Sequence, residues 1–90
     1  MPRKKQDPEI ESRIEYYNQR LRDLRTDNDL TQTQVAEILH VSQRTYSDYE
    51  LGNLRIPVEV YIELAKYYNV DMNYICGLTN IKTPFPGNWT

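Results

Sequence analysis

The sequence predicts an all-α protein, a compact five-helix bundle, and three observations predict it. The stretch Thr31 to Gly52, TQTQVAEILHVSQRTYSDYELG, reads as two short helices joined by a tight turn. Apolar residues on either side of it recur at helical spacing. Ile10, Ile14, Tyr17, Leu21 and Leu24 follow at alternating steps of four and three, and Tyr61, Leu64, Ala65 and Tyr68 stand at i, i+3, i+4 and i+7. Finally, a single cysteine, Cys76, excludes an internal disulfide, and with the single histidine, His40, it is too few for an ordinary structural zinc site. Neither staple nor metal supports the fold, so the packing of helices must.

Taken in order, residues 1–6 form a basic N-terminal tail carrying Arg3, Lys4 and Lys5, read either as a solvated terminus or as an arm touching phosphates or a minor groove. Asp7-Pro8 opens the first helix as cap and first helical residue, with Glu9 and Glu11 near the positive end of its dipole. Ile10 and Ile14 extend the apolar stripe at its N-terminal end, where they could meet a second subunit or pack on the chain's own C-terminal tail. Thr26 to Asp29 is a turn signal that ends this helix.

Thr31 with Gln34 has the T-x-x-Q form of a capping box, which opens the second helix, and Val35, Ala36 and Leu39 share its inner face. Ser42 caps the next run, Gln43 to Glu50, whose inward positions are Tyr46 and Tyr49, and Gly52 supplies a left-handed stop. After the loop Asn53-Leu54-Arg55-Ile56, Pro57 starts the fourth helix, helped inward by Ile56, Val60 and Val70. Asp71 caps a last short helix, Met72 to Cys76, ended by Gly77, with Met72 and Ile75 facing inward. The domain thus spans residues 7–77, followed by a C-terminal tail, 78–90, in which Pro84, Pro86 and Gly87 favour extended or irregular chain. Phe85 and Trp89 are costly to leave in water as a pair, so they fold back on the domain or cover a partner.

From Leu21 to Gly77 the chain resembles the helix-turn-helix proteins of the Cro and phage-repressor type, the XRE family. The marks are Leu24-Arg25, Leu30-Thr31-Gln32, Val35-Ala36, Val41-Ser42, the Glu50-x-Gly52 stop, Pro57 and Leu64-Ala65, in order and at this spacing. The resemblance implies the lambda-repressor-like DNA-binding fold, with the helix-turn-helix at helices 2 and 3. One departure is His40, at the turn position where the family usually has Gly and often Asn. Histidine tolerates left-handed backbone better than most side chains, which strains the turn only mildly. A role for His40 as a pH switch finds no other support in the sequence.

Composition bounds the function. Ninety residues suit one domain with a small core and leave little room for a deep catalytic cleft. No apolar run reaches ten residues, so neither a membrane span nor a secretory segment is expected, and the expected location is the cytoplasm. The net charge of −2 divides into +2 over residues 1–25 and −4 over 26–90. A DNA-facing surface must then be a local patch with low non-specific affinity. The eight tyrosines are read as core residues rather than as a stacking platform for single-stranded bases, because they sit at helical core spacing.

With Tyr46 and Tyr49 turned inward, Gln43, Arg44, Ser47 and Asp48 point outward from a helix of about 13 Å, a size that fits the major groove. Arg44 suits guanine O6 and N7, Gln43 suits adenine N6 and N7, and Asp48 suits cytosine N4. Asp48 is otherwise a repulsive charge at a DNA face. The resemblance assigns a phosphate contact to Gln32, at a helix start where backbone amides favour an anion. Ser42 and Thr45 offer hydroxyls for the same purpose, and Asn53 and Arg55 reach from the following loop. Glu50 matches the family's stop signature and is read as structural.

The expected function is a sequence-specific, double-stranded DNA-binding transcription regulator, a repressor acting as a homodimer on its operator, with no cofactor and no metal. A protein-interaction module or antitoxin on the same scaffold, meeting an antagonist or toxin protein, is the alternative. No Gly-rich phosphate loop or paired catalytic constellation suggests an enzyme.

Overall fold

The computed structural model describes residues 19–87, and the expectations for Asp7, Pro8, Ile10, Ile14, Tyr17 and Trp89 lie outside them. Helix α1 covers residues 19–27, followed by α2 (Gln32–Leu39), α3 (Gln43–Leu51), α4 (Val58–Tyr68) and α5 (Met72–Ile75). No strand occurs among the described residues.

The helix starts are made by the side chains that the sequence places there. Thr31 accepts from the Gln34 amide while the Gln34 side chain accepts from the Thr31 amide, a complete capping box. Ser42 and Asp71 accept in the same way from the amides of Thr45 and Tyr74. Pro57 stands at the N-cap of α4, one residue before the first helical position expected for it, and makes no side-chain cap bond. At the other ends α3 runs one residue further than expected, to Leu51, and α5 stops one earlier, at Ile75.

All five helices close with the same device. A residue at the helix end turns left-handed, and two amides reach back to the carbonyls five and three residues earlier, the pattern of a Schellman motif. In α2 these bonds are Val41 N to Ala36 O and His40 N to Glu37 O, both near 3 Å, with His40 at φ 59°. Asp29, Gly52, Asn69 and Gly77 take the corresponding place after α1, α3, α4 and α5. Only two of the five are glycine. Asp, His and Asn are the side-chain-bearing residues that enter this region at least cost, which is why the ends hold without it.

With their ends fixed in this way, the short helices turn their apolar stripes onto one core. Leu21 and Leu24 of α1, Val35 and Ala36 of α2, Tyr46 and Tyr49 of α3, Leu64 and Ala65 of α4, then Val70 and Ile75, make up the buried cluster. The tail does not leave this core. Asp71 N donates to Thr83 O at 2.7 Å, Phe85 N donates to Asn69 Oδ1 at 3.2 Å, and the Phe85 ring packs half-buried against the cluster. Of the two fates expected for Phe85, it takes the fold-back. Arg20, for which the sequence offers no role, is 7% exposed and ties α1 to the same tail. It donates to the carbonyls of Tyr74 and Thr79 and to Asn80 Oδ1, and its guanidinium lies 3.9 Å from the centroid of the Tyr74 ring.

Candidate nucleic-acid interface

Helix α3 has two unlike sides. Its rear carries Tyr46, Tyr49 and Glu50, which are 0%, 7% and 1% exposed. A buried carboxylate is expensive unless it is paired, and Glu50 is paired several times over. Arg25 of α1 donates to it from Nε at 2.7 Å and Nη2 at 3.2 Å, Gln32 of α2 donates at 3.1 Å, and Arg22 stands 3.7 Å away. Burial alone pushes the Glu50 carboxyl up. The hydrogen bonds from Arg25 and Gln32, the charge of Arg25 and the adjacent Tyr46 hydroxyl outweigh burial and hold it below the usual glutamate range. The same pair raises the Arg25 guanidinium above its ordinary value. Glu50 therefore fastens the rear of α3 to α1 and α2 at once, the structural role expected of it.

The Tyr46 hydroxyl approaches this carboxylate without hydrogen-bond geometry, and neither it nor the buried Tyr68 hydroxyl has a partner. Burial drives the Tyr46 phenol far above its ordinary value and Tyr68 up to about 12, so both are neutral across the physiological range.

Glu50 also orients the first residue of the front. An ionised carboxylate only accepts, so Gln32 must turn its NH₂ toward Glu50 and its carbonyl away. That carbonyl, Oε1, accepts from Gln43 Nε2 at 2.8 Å. A chain of three contacts thus runs from Arg25 through Glu50 and Gln32 to Gln43 at the first turn of α3.

Beyond it the front is polar and open. The Arg44 side chain is 89% exposed and stands 3.7 Å from Asp48, four residues on. Asp48 also accepts from Asn53 Nδ2 at 3.4 Å. Ser47 is half-buried, and Asn53 and Arg55 are exposed in the loop after the helix. Ser42 donates its hydroxyl proton to Thr45 Oγ1 at 2.9 Å while accepting from the Thr45 amide, which leaves the Thr45 hydroxyl proton free to point outward. The nine residues expected to meet DNA are therefore brought together along one helix, its N-cap, the facing start of α2 and the following loop. Several of them are engaged with one another. Sequence reasoning missed one residue of this face: Leu51, which is 58% exposed. An apolar residue at the end of a helix reads as core, and no local signal contradicts that.

Burial pushes the Cys76 thiol up, away from a reactive thiolate. Among the described residues no group of three His, Cys, Asp or Glu side chains is placed to hold a metal. None of the helices described is long and apolar enough to cross a membrane.

Two short helices joined by a left-handed turn, the second locked at its rear and bare at its front, define a helix-turn-helix. The helix-turn-helix family matches residues 21–75, and the chain belongs to that family, in its Cro and phage-repressor branch. Its members are DNA-binding transcription regulators rather than a class of enzymes. Over 68 residues the chain is 38% identical to the uncharacterized HTH-type transcriptional regulator YobD of Bacillus subtilis, covering 76% of this chain and 61% of that protein. Over 54 residues it is 39% identical to the cryptic phage CTXphi transcriptional repressor RstR of Vibrio cholerae, covering 60% of this chain and 49% of RstR. The crystal structure of a transcriptional regulator from Listeria innocua superposes with a TM-score of 0.65 at 30% identity, over 68% of this chain and 57% of that one. The chain thus spans about half to three fifths of the length of these relatives.

Proposed function

We propose that this chain is a sequence-specific, double-stranded DNA-binding transcription regulator, a cytoplasmic repressor that inserts α3 into the major groove as a homodimer. Gln43, Arg44, Ser47 and Asp48 read base edges, and Gln32, Ser42, Thr45, Asn53 and Arg55 hold phosphates. The observation that carries the reading is the division of α3: a rear fixed by Tyr46, Tyr49 and the buried Glu50, and a front on which the Arg44 side chain stands 89% exposed. A helix immobilised from behind presents its front without the cost of ordering it, which is what base-edge contacts need. The relationship to RstR, a phage repressor, supports repression. One recognition helix reads only a few base pairs, so useful specificity calls for two half-sites about 34 Å apart or a small multiple of that distance.

The test is selection of sites from a random duplex library with the wild type and with Arg44→Ala. A two-fold symmetric site should be enriched, and the variant should lose a guanine preference worth about 1–3 kcal/mol. Affinity should fall with salt at a log–log slope of about −4 to −5, as for 4 to 6 neutralised phosphates per dimer. No enrichment at low salt by folded protein would overturn the proposal in favour of a protein-interaction module.

A further inference from the structure

Where the tail folds back it builds one wall of an apolar cavity, on helices other than the helix-turn-helix pair. Ile62 of α4, Met72 of α5, and Phe85 and Pro86 of the tail line an open space of about 390 Å³, with Asp71 and Asn73 as the polar residues of the lining. Ile62 is half-buried, yet it belongs neither to the buried cluster nor to the partly buried residues packed against that cluster. Its apolar side chain is spent on this cavity. The tail wall is held firmly, because Asp71 N donates to Thr83 O at 2.7 Å and Phe85 N donates to Asn69 Oδ1 at 3.2 Å, just before Pro86. The chain then turns at Gly87.

The next residues in the sequence are Asn88 and Trp89, and Trp89 is the single tryptophan. Two residues of extended chain span at most about 7 Å, so the Trp89 backbone starts within that distance of Gly87, the neighbour of the wall residue Pro86. We propose that the Trp89 indole is the occupant of this cavity and closes it. The lining suits an indole in each of its parts. The Met72 thioether and the Phe85 ring are the partners that aromatic rings favour, through sulfur–aromatic and offset or edge-to-face contacts. A buried indole N–H needs an acceptor. Asp71 accepts from the Tyr74 amide through Oδ1, and its second oxygen is available for that bond. A side chain on so short a tether is present at an effective concentration of roughly millimolar, so a free ligand of the same chemistry competes poorly. A partner's apolar side chain reaches this cavity only by displacing Trp89. Nothing in this depends on whether α3 binds DNA.

Because the chain has one tryptophan, selectively excited emission of the full chain reads this position alone. The folded wild type should emit to the blue of the urea-unfolded chain and resist acrylamide quenching several-fold better. Nuclear Overhauser contacts should join the indole protons to the methyl groups of Ile62 and Met72. Ile62→Gln, at a residue outside the core cluster, should move the emission to the red and abolish the protection while the protein still melts cooperatively. If that variant does not fold, the wild-type Overhauser contacts decide by themselves. Solvent-like emission and full quenching in the folded wild type would overturn the proposal. So would blue emission without contacts to Ile62 and Met72, which seats the ring elsewhere. Contacts that arise only between labelled and unlabelled copies in a mixed sample would assign the cavity to the tail of a second copy and overturn closure by the chain's own.

Discussion

The two sides of α3 are built on opposite physical terms. On the rear, Tyr46, Tyr49 and Glu50 are out of water, and the contacts of the Glu50 carboxylate are strong because they are dry; on the front, Arg44 stands near Asp48 and Gln43 donates to Gln32, contacts that water can replace. The Arg25–Glu50 pair at 2.7 Å and the Arg44–Asp48 pair at 3.7 Å illustrate the difference. Exposed ion pairs contribute little to stability, whereas breaking one half of a buried pair leaves an uncompensated charge. The rear should therefore govern whether the protein folds and the front what it binds, with little exchange between them.

The strongest way to break this contrast is Glu50→Ala. It leaves the half-buried Arg25 guanidinium without its carboxylate, and the expected cost is about 3 kcal/mol by urea or thermal denaturation. In a domain this small that is a large share of the total stability. The same group sets an acid limb. Because the folded-state value of Glu50 is depressed, its contribution is fully present above the ordinary glutamate range and is lost as pH falls through the folded-state value. A plot of stability against pH should fall on the acid side in the wild type and flatten in Glu50→Gln.

Asp48→Asn probes the front. It should leave the melting temperature nearly unchanged while altering DNA binding: loss of one base-pair preference, worth about 1–3 kcal/mol, assigns Asp48 to reading. A uniform gain in affinity across sequences assigns it to repulsion. His40→Gly concerns the turn that joins the two helices and should stabilise by about 0.5–1 kcal/mol, the relief of left-handed strain less the entropy that glycine loses on folding. The smallest effect is expected for Tyr46→Phe. Its hydroxyl is buried without a hydrogen-bond partner but lies beside the Glu50 carboxylate and favours its charge, so removing it should cost no more than about 1 kcal/mol.

What could be read in the sequence is what the chain settles within a few residues of itself. The capping box of Thr31 and Gln34, the caps Ser42 and Asp71, the left-handed His40 and the inward turn of Tyr46 and Tyr49 are all satisfied locally, and all are present in the structure. The family's marks, in order, add the arrangement of the helices, and the residues expected to meet DNA follow from which side of α3 is left. The turn signal Thr26 to Asp29 ends α1 as expected, whereas Asn69 was less legible as a helix end, because asparagine serves turns of many kinds.

Tertiary structure decided the rest, wherever a side chain's fate depends on a distant partner. The family's stop signature marks Glu50 as structural, but its partners, Arg25, 25 residues earlier, and Gln32, 18 residues earlier, are brought against it only in the fold. Arg20 is buried only because acceptors 54 to 60 residues away fold back over it, carrying Phe85 and the tail with them. Leu51 is apolar and yet exposed, since the face it occupies was fixed by burial of the three residues on the opposite side of α3. Capping bonds are short-range and follow from residue type. Burial is a property of the assembled surface, and local periodicity contains it only for apolar stripes, not for a lone Glu50, Arg20 or Leu51.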